Sequence, residues 1–275
     1  MRQPSNRRMK LWILRLGATQ GDVGWFLRGR NSSTVSNPTP DHDRRRMMMF
    51  AMLIDHPDNG LVLYDCGSVP DPSTAWGPDF ADGFPWIEYA DEHRLDRAIA
   101  LTGNSIDDVK AIVLSHLHLD HAGGLHYFEG RKIPIYVHED ELRQAFYAVA
   151  TKEDYGNYLP DYLSFEHNWQ PLTGSTVEIF RGMTLHLLPG HANGLMGLML
   201  DLPNTGPVFF TSDQCVFREN LEDFEPPGWG LRNQDAWYAS NRRIRRIVDL
   251  AGARVFYGHD EFNLTTFECA PHHYD

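Results

Sequence analysis

Apolar residues along this chain come in short bursts, and most bursts are too short to form helices. "KLWILRLG" (10–17) reads as an opening strand. "MMMFAMLID" (47–55) and "GLVLYDCG" (60–67) are two apolar runs joined by "HPDNG", whose Asp58-Asn59-Gly60 stretch is a tight-turn signal, so they predict a hairpin. "AIVLS" (111–115) and "IPIYVH" (133–138) read as short buried strands. The segments 175–194 and 197–213 alternate as further strands, and "RVFYGHD" (254–260) as a last one. Helical signals fall between them. One helix is predicted around Arg94–Thr102, and a short one starts at Ser105, with Asp108 three residues on. Another covers "EDELRQAFYAVA" (139–150). The last runs over 235–252, with Trp237, Ile244, Ile247 and Val248 at helical spacing and Gly252 as its stop. Strands with helices before, between and after them place sheets in the middle and helices outside.

Two stretches break the pattern. Residues 66–93 carry four prolines and the aromatics Trp76, Phe80, Phe84, Trp86 and Tyr89. Residues 151–172 carry Tyr155, Tyr158, Tyr162, Phe165 and Trp169. Both are expected to be irregular, aromatic-rich loops.

Length and composition narrow the class. With 275 residues, 42% of them hydrophobic, the chain can build one large core, so a single domain over 1–275 is expected. No apolar run approaches the ~20 residues of a membrane span, and no cleavage site follows the basic start, so a cytoplasmic location is expected. Three cysteines, Cys66, Cys215 and Cys269, make no disulfide framework. A formal charge of −12 argues against nucleic acid and anionic membrane as partners. The arginine runs at 44–46 and 242–246 read as solvated faces.

The 14 histidines change the picture. "SHLHLDHAGG" (115–124) packs His116, His118, Asp120 and His121 into six positions at the end of a strand. Side chains two apart on an extended strand point the same way, so His116 and His118 can share one target. Past the strand end the chain turns, and Asp120 and His121 can reach a second target nearby. Imidazole and carboxylate are ordinary ligands for zinc and related ions. The small residues 122–124 leave room for close backbone approach.

"HLHLDH" resembles the H-x-H-x-D-H motif of the metallo-β-lactamase-fold hydrolases. "DCG" at 65–67, "GH" at 190–191, "SD" at 212–213 and "GHD" at 258–260 resemble that family's other motifs, in order. The flanks look most like the N-acyl homoserine lactonases, which act in quorum quenching. The resemblance implies an α+β fold, a four-layer αββα sandwich with two divalent ions, most commonly Zn2+. It implies that His116, His118 and His191 hold one metal, that Asp120, His121 and His259 hold the other, and that Asp213 bridges them. Asp120 and Asp213 would also serve the reaction, and Asp65 would orient a ligand histidine. His126, His138 and His186 match no motif.

A centre of this kind implies metal-assisted hydrolysis by a bridging hydroxide, opening a small cyclic ester such as an N-acyl homoserine lactone. The chain has no G-x-S-x-G and no phosphate-binding loop. The expected substrate is a small molecule with an apolar or aromatic portion, lodged among Trp76, Phe84, Trp86, Tyr158, Val216, Phe217 and Trp229. A homodimer is the candidate assembly. One departure stands out: homoserine lactonases usually carry a carbonyl-polarising tyrosine three positions after the bridging aspartate, and here that position is Val216. Tyr238 and Tyr257 are the candidate replacements. The departure keeps alternatives open: a lactam, cyclic carbamate or thioester hydrolase on the same two metals, a mononuclear iron sulfur oxygenase, or a binding protein without activity.

Overall fold

The computed structural model describes residues 8–154 and 156–275, so Tyr155 and the first part of the basic start lie outside the described residues. Seven strands form the first sheet: β1 (Lys10–Asp22), β2 (Arg44–His56), β3 (Gly60–Tyr64), β4 (Trp86–Glu88), β5 (Val109–Val113), β6 (Pro134–His138) and β7 (Asn168–Leu172). Their spatial order is β4-β1-β2-β3-β5-β6-β7. Five form the second: β8 (Thr176–Phe180), β9 (Met183–Leu187), β10 (Met196–Leu202), β11 (Gly206–Phe210) and β12 (Arg254–Phe256), in the order β12-β11-β10-β9-β8. β2 and β3 pair antiparallel from Met52↔Tyr64 to His56↔Gly60, the hairpin that the turn signal predicts.

The layers follow from side-chain alternation along the strands. Leu11 and Ile13 of β1, with Met48, Phe50 and Met52 of β2, point into the core shared with Leu185, Leu198, Leu200 and Phe210 of the second sheet. Trp12, Leu14 and Leu16, with Met47 and Met49, point the other way, into the cluster that includes Leu95, Ile99, Ala145 and Ala148 of the helices. The outer face of the second sheet buries Met199 and Phe209 against Ile244 of helix Gln234–Ala251. The result is the metallo-β-lactamase architecture, helix–sheet–sheet–helix.

The predicted loops hold more order than their composition suggests. Pro72 and Pro78 open the short helices Pro72–Ala75 and Pro78–Gly83, because a proline in a first helical turn costs no hydrogen bond. Trp86–Glu88 then pairs with β1, and Asn168–Leu172 closes the other edge of the sheet. Ser105 caps a short 3-10 turn, accepting from Asp107 N–H at 3.2 Å, while Asp108 returns the bond to Ser105 N–H at 3.1 Å.

Candidate metal centre

Each residue singled out by the histidine motifs sits just beyond the C-terminal end of a strand: Asp65 after β3, His116–His121 after β5, His191 after β9, Asp213 after β11, and His259 after β12. β3 and β5 are parallel neighbours, and so are β11 and β12, so their ends open on one edge of the sandwich. The turn after β5 packs tightly. A Cβ at Gly124 would lie 2.1 Å from the Cys66 carbonyl oxygen, so only glycine fits where this turn crosses the one carrying Asp65.

These turns bring together two groups of donor atoms, each within 4.8 Å of one another: His116, His118 and His191, and Asp120, His121, Asp213 and His259. Asp213 reaches both groups. Its Oδ1 lies 3.1 Å from His121 Nε2 and 2.9 Å from His259 Nε2, and its Oδ2 lies 3.5 Å from His191 Nε2. Asp120 Oδ2 lies 3.5 Å from His259 Nε2. His118 Nδ1 lies 3.0 Å from His191 Nε2.

The far side of the rings is held by the protein. Asp65 accepts from Ser115 N–H (2.7 Å) and Ser115 Oγ–H (2.8 Å), and its Oδ2 lies 2.9 Å from His121 Nδ1. Ser115 points its hydroxyl hydrogen at Asp65, so its oxygen accepts from His116 Nδ1 at 3.0 Å. The Met48 carbonyl accepts from His259 Nδ1 at 2.8 Å. Each contact puts the ring proton on Nδ1 and turns the Nε2 lone pair inward, as a ligand imidazole requires. The main chain shares the strain, with Asp65 at φ 58° and Ser212 at φ 48°. A second support is Glu141, fully buried, which accepts from Leu117 N–H, Tyr158 O–H and Gly194 N–H at 3.0, 3.0 and 3.2 Å. It ties the His118 turn to the turn after His191, and burial pushes its carboxyl pKa up.

The donor set fits divalent cations. His116 Nε2, His121 Nε2, His259 Nε2 and Asp213 Oδ1 are buried and have no hydrogen-bond partner, because their close contacts are misaligned for hydrogen bonds and converge inward. One such atom costs about 1–3 kcal/mol unpaired, so a cluster of them calls for a shared electrophile. Electrostatics divides the two groups. Burial and neighbouring imidazoles hold His116 and His118 well below their ordinary values, and burial lowers His191, so these three are neutral and ready to ligate. Burial also pushes His121 down, but Asp120, Asp213 and Asp65 outweigh it and hold the ring well above its ordinary value. The same contest, won by Asp213 and Asp120, raises His259. Burial raises Asp213, yet His259 and His121 keep it well below the usual carboxylate range.

A small cleft, partly open to solvent, adjoins the donors; His118, Asp120, His191 and Asp213 form one wall. Of the residues predicted to hold substrate, Trp76, Phe84, Val216 and Trp229 line it. Trp86, Tyr158 and Phe217 stand one layer back. Trp86 packs on Trp76 at 5.2 Å, Phe217 on Phe26 at 5.7 Å, and Tyr158 on His118 at 4.8 Å with its hydroxyl on Glu141. The two candidate tyrosines are elsewhere: Tyr257 O–H donates to Glu222 at 3.0 Å, and Tyr238 stacks on Phe224. Val216 is 2% exposed and contributes its carbonyl, which accepts from His259 N–H at 3.0 Å. Sequence reasoning does not single out Glu141, Phe26, Met47, Met49 or Thr19, and it gives Ser115 and Ser212, inside quoted motifs, no role. Only the alternation of Met47 and Met49 on β2 carried a signal, and it fixes a face without fixing a role. His126 lies 3.2 Å from Glu129 in an exposed pair, and His138 Nδ1 accepts from Asp140 N–H at 3.3 Å, capping a helix.

The family profile described as "Metallo-beta-lactamase superfamily" matches residues 46–259. The N-acyl homoserine lactonase AiiB of Agrobacterium fabrum is 29% identical over 261 residues, 91% of this chain and 93% of that protein. The N-acyl homoserine lactonase AttM of Rhizobium johnstonii is 30% identical over 235 residues, 81% and 85% of the two chains. A crystal structure of a B. thuringiensis AiiA mutant, with N-decanoyl-L-homoserine bound at its active site, superposes with a TM-score of 0.81 at 22% identity, covering 98% and 99% of the two chains.

Proposed function

The chain belongs to the metallo-beta-lactamase superfamily and is a metal-dependent hydrolase, and from that premise we propose that it binds two zinc ions and opens lactones bearing an apolar substituent. The observation that carries this reading is the pairing of seven convergent donors, in groups of three and four, with a cleft walled by aromatic and methionine side chains. A nitrogen and carboxylate set of this kind suits zinc. If held by these residues, two such ions would activate water as a nucleophile near neutral pH and polarise the carbonyl.

The chain's own residues do the rest. Asp213 directs one oxygen toward each donor group and so fixes their separation. Asp120 is the most exposed of the donors and faces the cleft, where it can pass a proton to the leaving alkoxide. Phe26, Met47, Met49 and Phe84 exclude water from the non-reacting portion of the substrate. That portion is an acyl chain or an aromatic ring, as relatives that act on N-acyl homoserine lactones would suggest.

A second reading keeps the centre and changes the bond. Among the described residues no tyrosine hydroxyl reaches the place of Val216, so less stabilisation is available for a lactone carbonyl, and a lactam, carbamate or thioester becomes a competitor. A panel of N-acyl homoserine lactones, aromatic lactones, lactams and thioesters, ranked by kcat/KM on zinc-loaded protein, separates the two. Lactones are expected to lead by about 10²-fold or more; a lead for lactams or thioesters, or no lactone opening at all, overturns the lactone reading.

A further inference from the structure

One side chain in the cleft does not belong to its surroundings. Thr19 of β1 pairs with Met47 of β2, and cross-strand partners share a face, so both point into the cleft. The neighbouring wall is Phe26, Met47, Met49, Phe84 and Val216. Thr19 is 1% exposed, and its Oγ1 has no hydrogen-bond partner. Valine has the same shape, favours strands equally, and would leave nothing unpaired. The hydroxyl is therefore the only thing threonine adds here, and the fold makes no use of it.

A second unpaired group stands one layer behind the cleft wall. Trp86 of β4 sits opposite Thr19 on the other side of β1, and its indole Nε1–H is also buried without a partner. The Thr19 hydroxyl can donate into the cleft, so what complements it is an acceptor oxygen. Natural proteins seldom leave buried donors unmet without a functional reason.

We propose that Thr19 is a specificity-determining residue: its hydroxyl binds an acceptor oxygen on the non-reacting portion of the substrate. Thr19 then sets a preference for a substrate arm that bears an acceptor oxygen over a plain hydrocarbon arm. This rests on the reading that the cleft receives the non-reacting portion.

The test uses full-length, zinc-loaded wild type, Thr19→Val and Thr19→Ser. Two lactones of matched length serve as substrates, one with an amide carbonyl in its arm and one with an all-carbon arm. Binding of their ring-opened acids is followed in parallel by tryptophan fluorescence. Thr19→Val is expected to cut kcat/KM about tenfold on the carbonyl-bearing lactone, through KM, and to weaken binding of its acid by a similar factor. The all-carbon lactone is expected to be unaffected, Thr19→Ser to recover most of the loss, and the Tm of Thr19→Val to hold or rise. Equal losses on both ligands, or no loss on either, overturn the proposal. If wild type opens neither lactone, the lactone reading fails, while the binding comparison still decides the role of Thr19.

Discussion

The donor groups and the cleft wall meet at one edge of the sandwich but are built on opposite principles. Each donor turn follows a strand, and hydrogen bonds donated to Asp65, Ser115 or the Met48 carbonyl fix three of the inward-facing rings. The cleft wall is aromatic packing among three loops. Trp25 lies 4.8 Å from Phe84 and 5.4 Å from Trp229, and Trp229 is stacked over Phe84. Backbone bonds from Gly228 and Trp229 to the Trp25 carbonyl tie two of these loops together. Directional bonds position a ligand atom to a fraction of an ångström, whereas ring packing fixes a volume and tolerates exchange of one ring for another. On the proposed reading, the first region sets the reaction and the second the choice of substrate.

Breaking the first region should have the largest effect. Asp65→Ala removes the acceptor that holds His121 directly and His116 through Ser115, and is expected to lower zinc affinity and kcat about 10–100-fold, read by metal titration and steady-state rates. Asp65→Asn, which keeps the shape, should retain part of that affinity. An unchanged zinc affinity in Asp65→Ala would show that strand ends alone fix the ligands.

The second region should respond differently. Trp229 is 43% exposed and lines both the apolar cleft and an adjoining polar recess with Asn157 and Arg232. Trp229→Ala is expected to change kcat/KM by roughly tenfold for long-armed substrates and little for short ones, with zinc content constant. A uniform loss across arm lengths would place Trp229 with the chemistry instead.

A smaller effect should appear away from both regions. His186 on β9 packs on Phe209, and burial, helped by Arg243, lowers its pKa to about 4. Its folded value lies below its unfolded one, so the unfolded chain binds the extra proton, and stability is lost as pH falls from about 6.5 toward 4. His186→Gln should lose slightly less Tm than wild type across that window. Identical Tm profiles would remove His186 from the acid response.

This division explains what the sequence made legible. Metal ligation demands particular residue types, and His116, His118, His191 and His259 each stand beside a turn that could be recognised. The apolar runs of β1, β2 and β10 read as strands, while their division into two sheets followed only from the family resemblance. The strand Trp86–Glu88 was hidden, since three residues after a proline carry no periodicity and β1 alone stabilises it. Glu141 looked like any helix-opening acid; its fully buried role depends on the turns at Leu117 and Gly194, far away in sequence. Phe217 and Tyr158 are as aromatic as Phe84 and Trp229, and no local pattern reveals which rings face the cleft and which stand behind it.

The central claim is most directly tested by elemental analysis of the purified chain beside Asp213→Ala, after chelation and reloading with zinc. The account expects two ions per wild-type chain, with hydrolysis returning as they are restored, and loss of metal and activity together in Asp213→Ala. A single ion per chain at full activity, or full activity without Asp213, would contradict it.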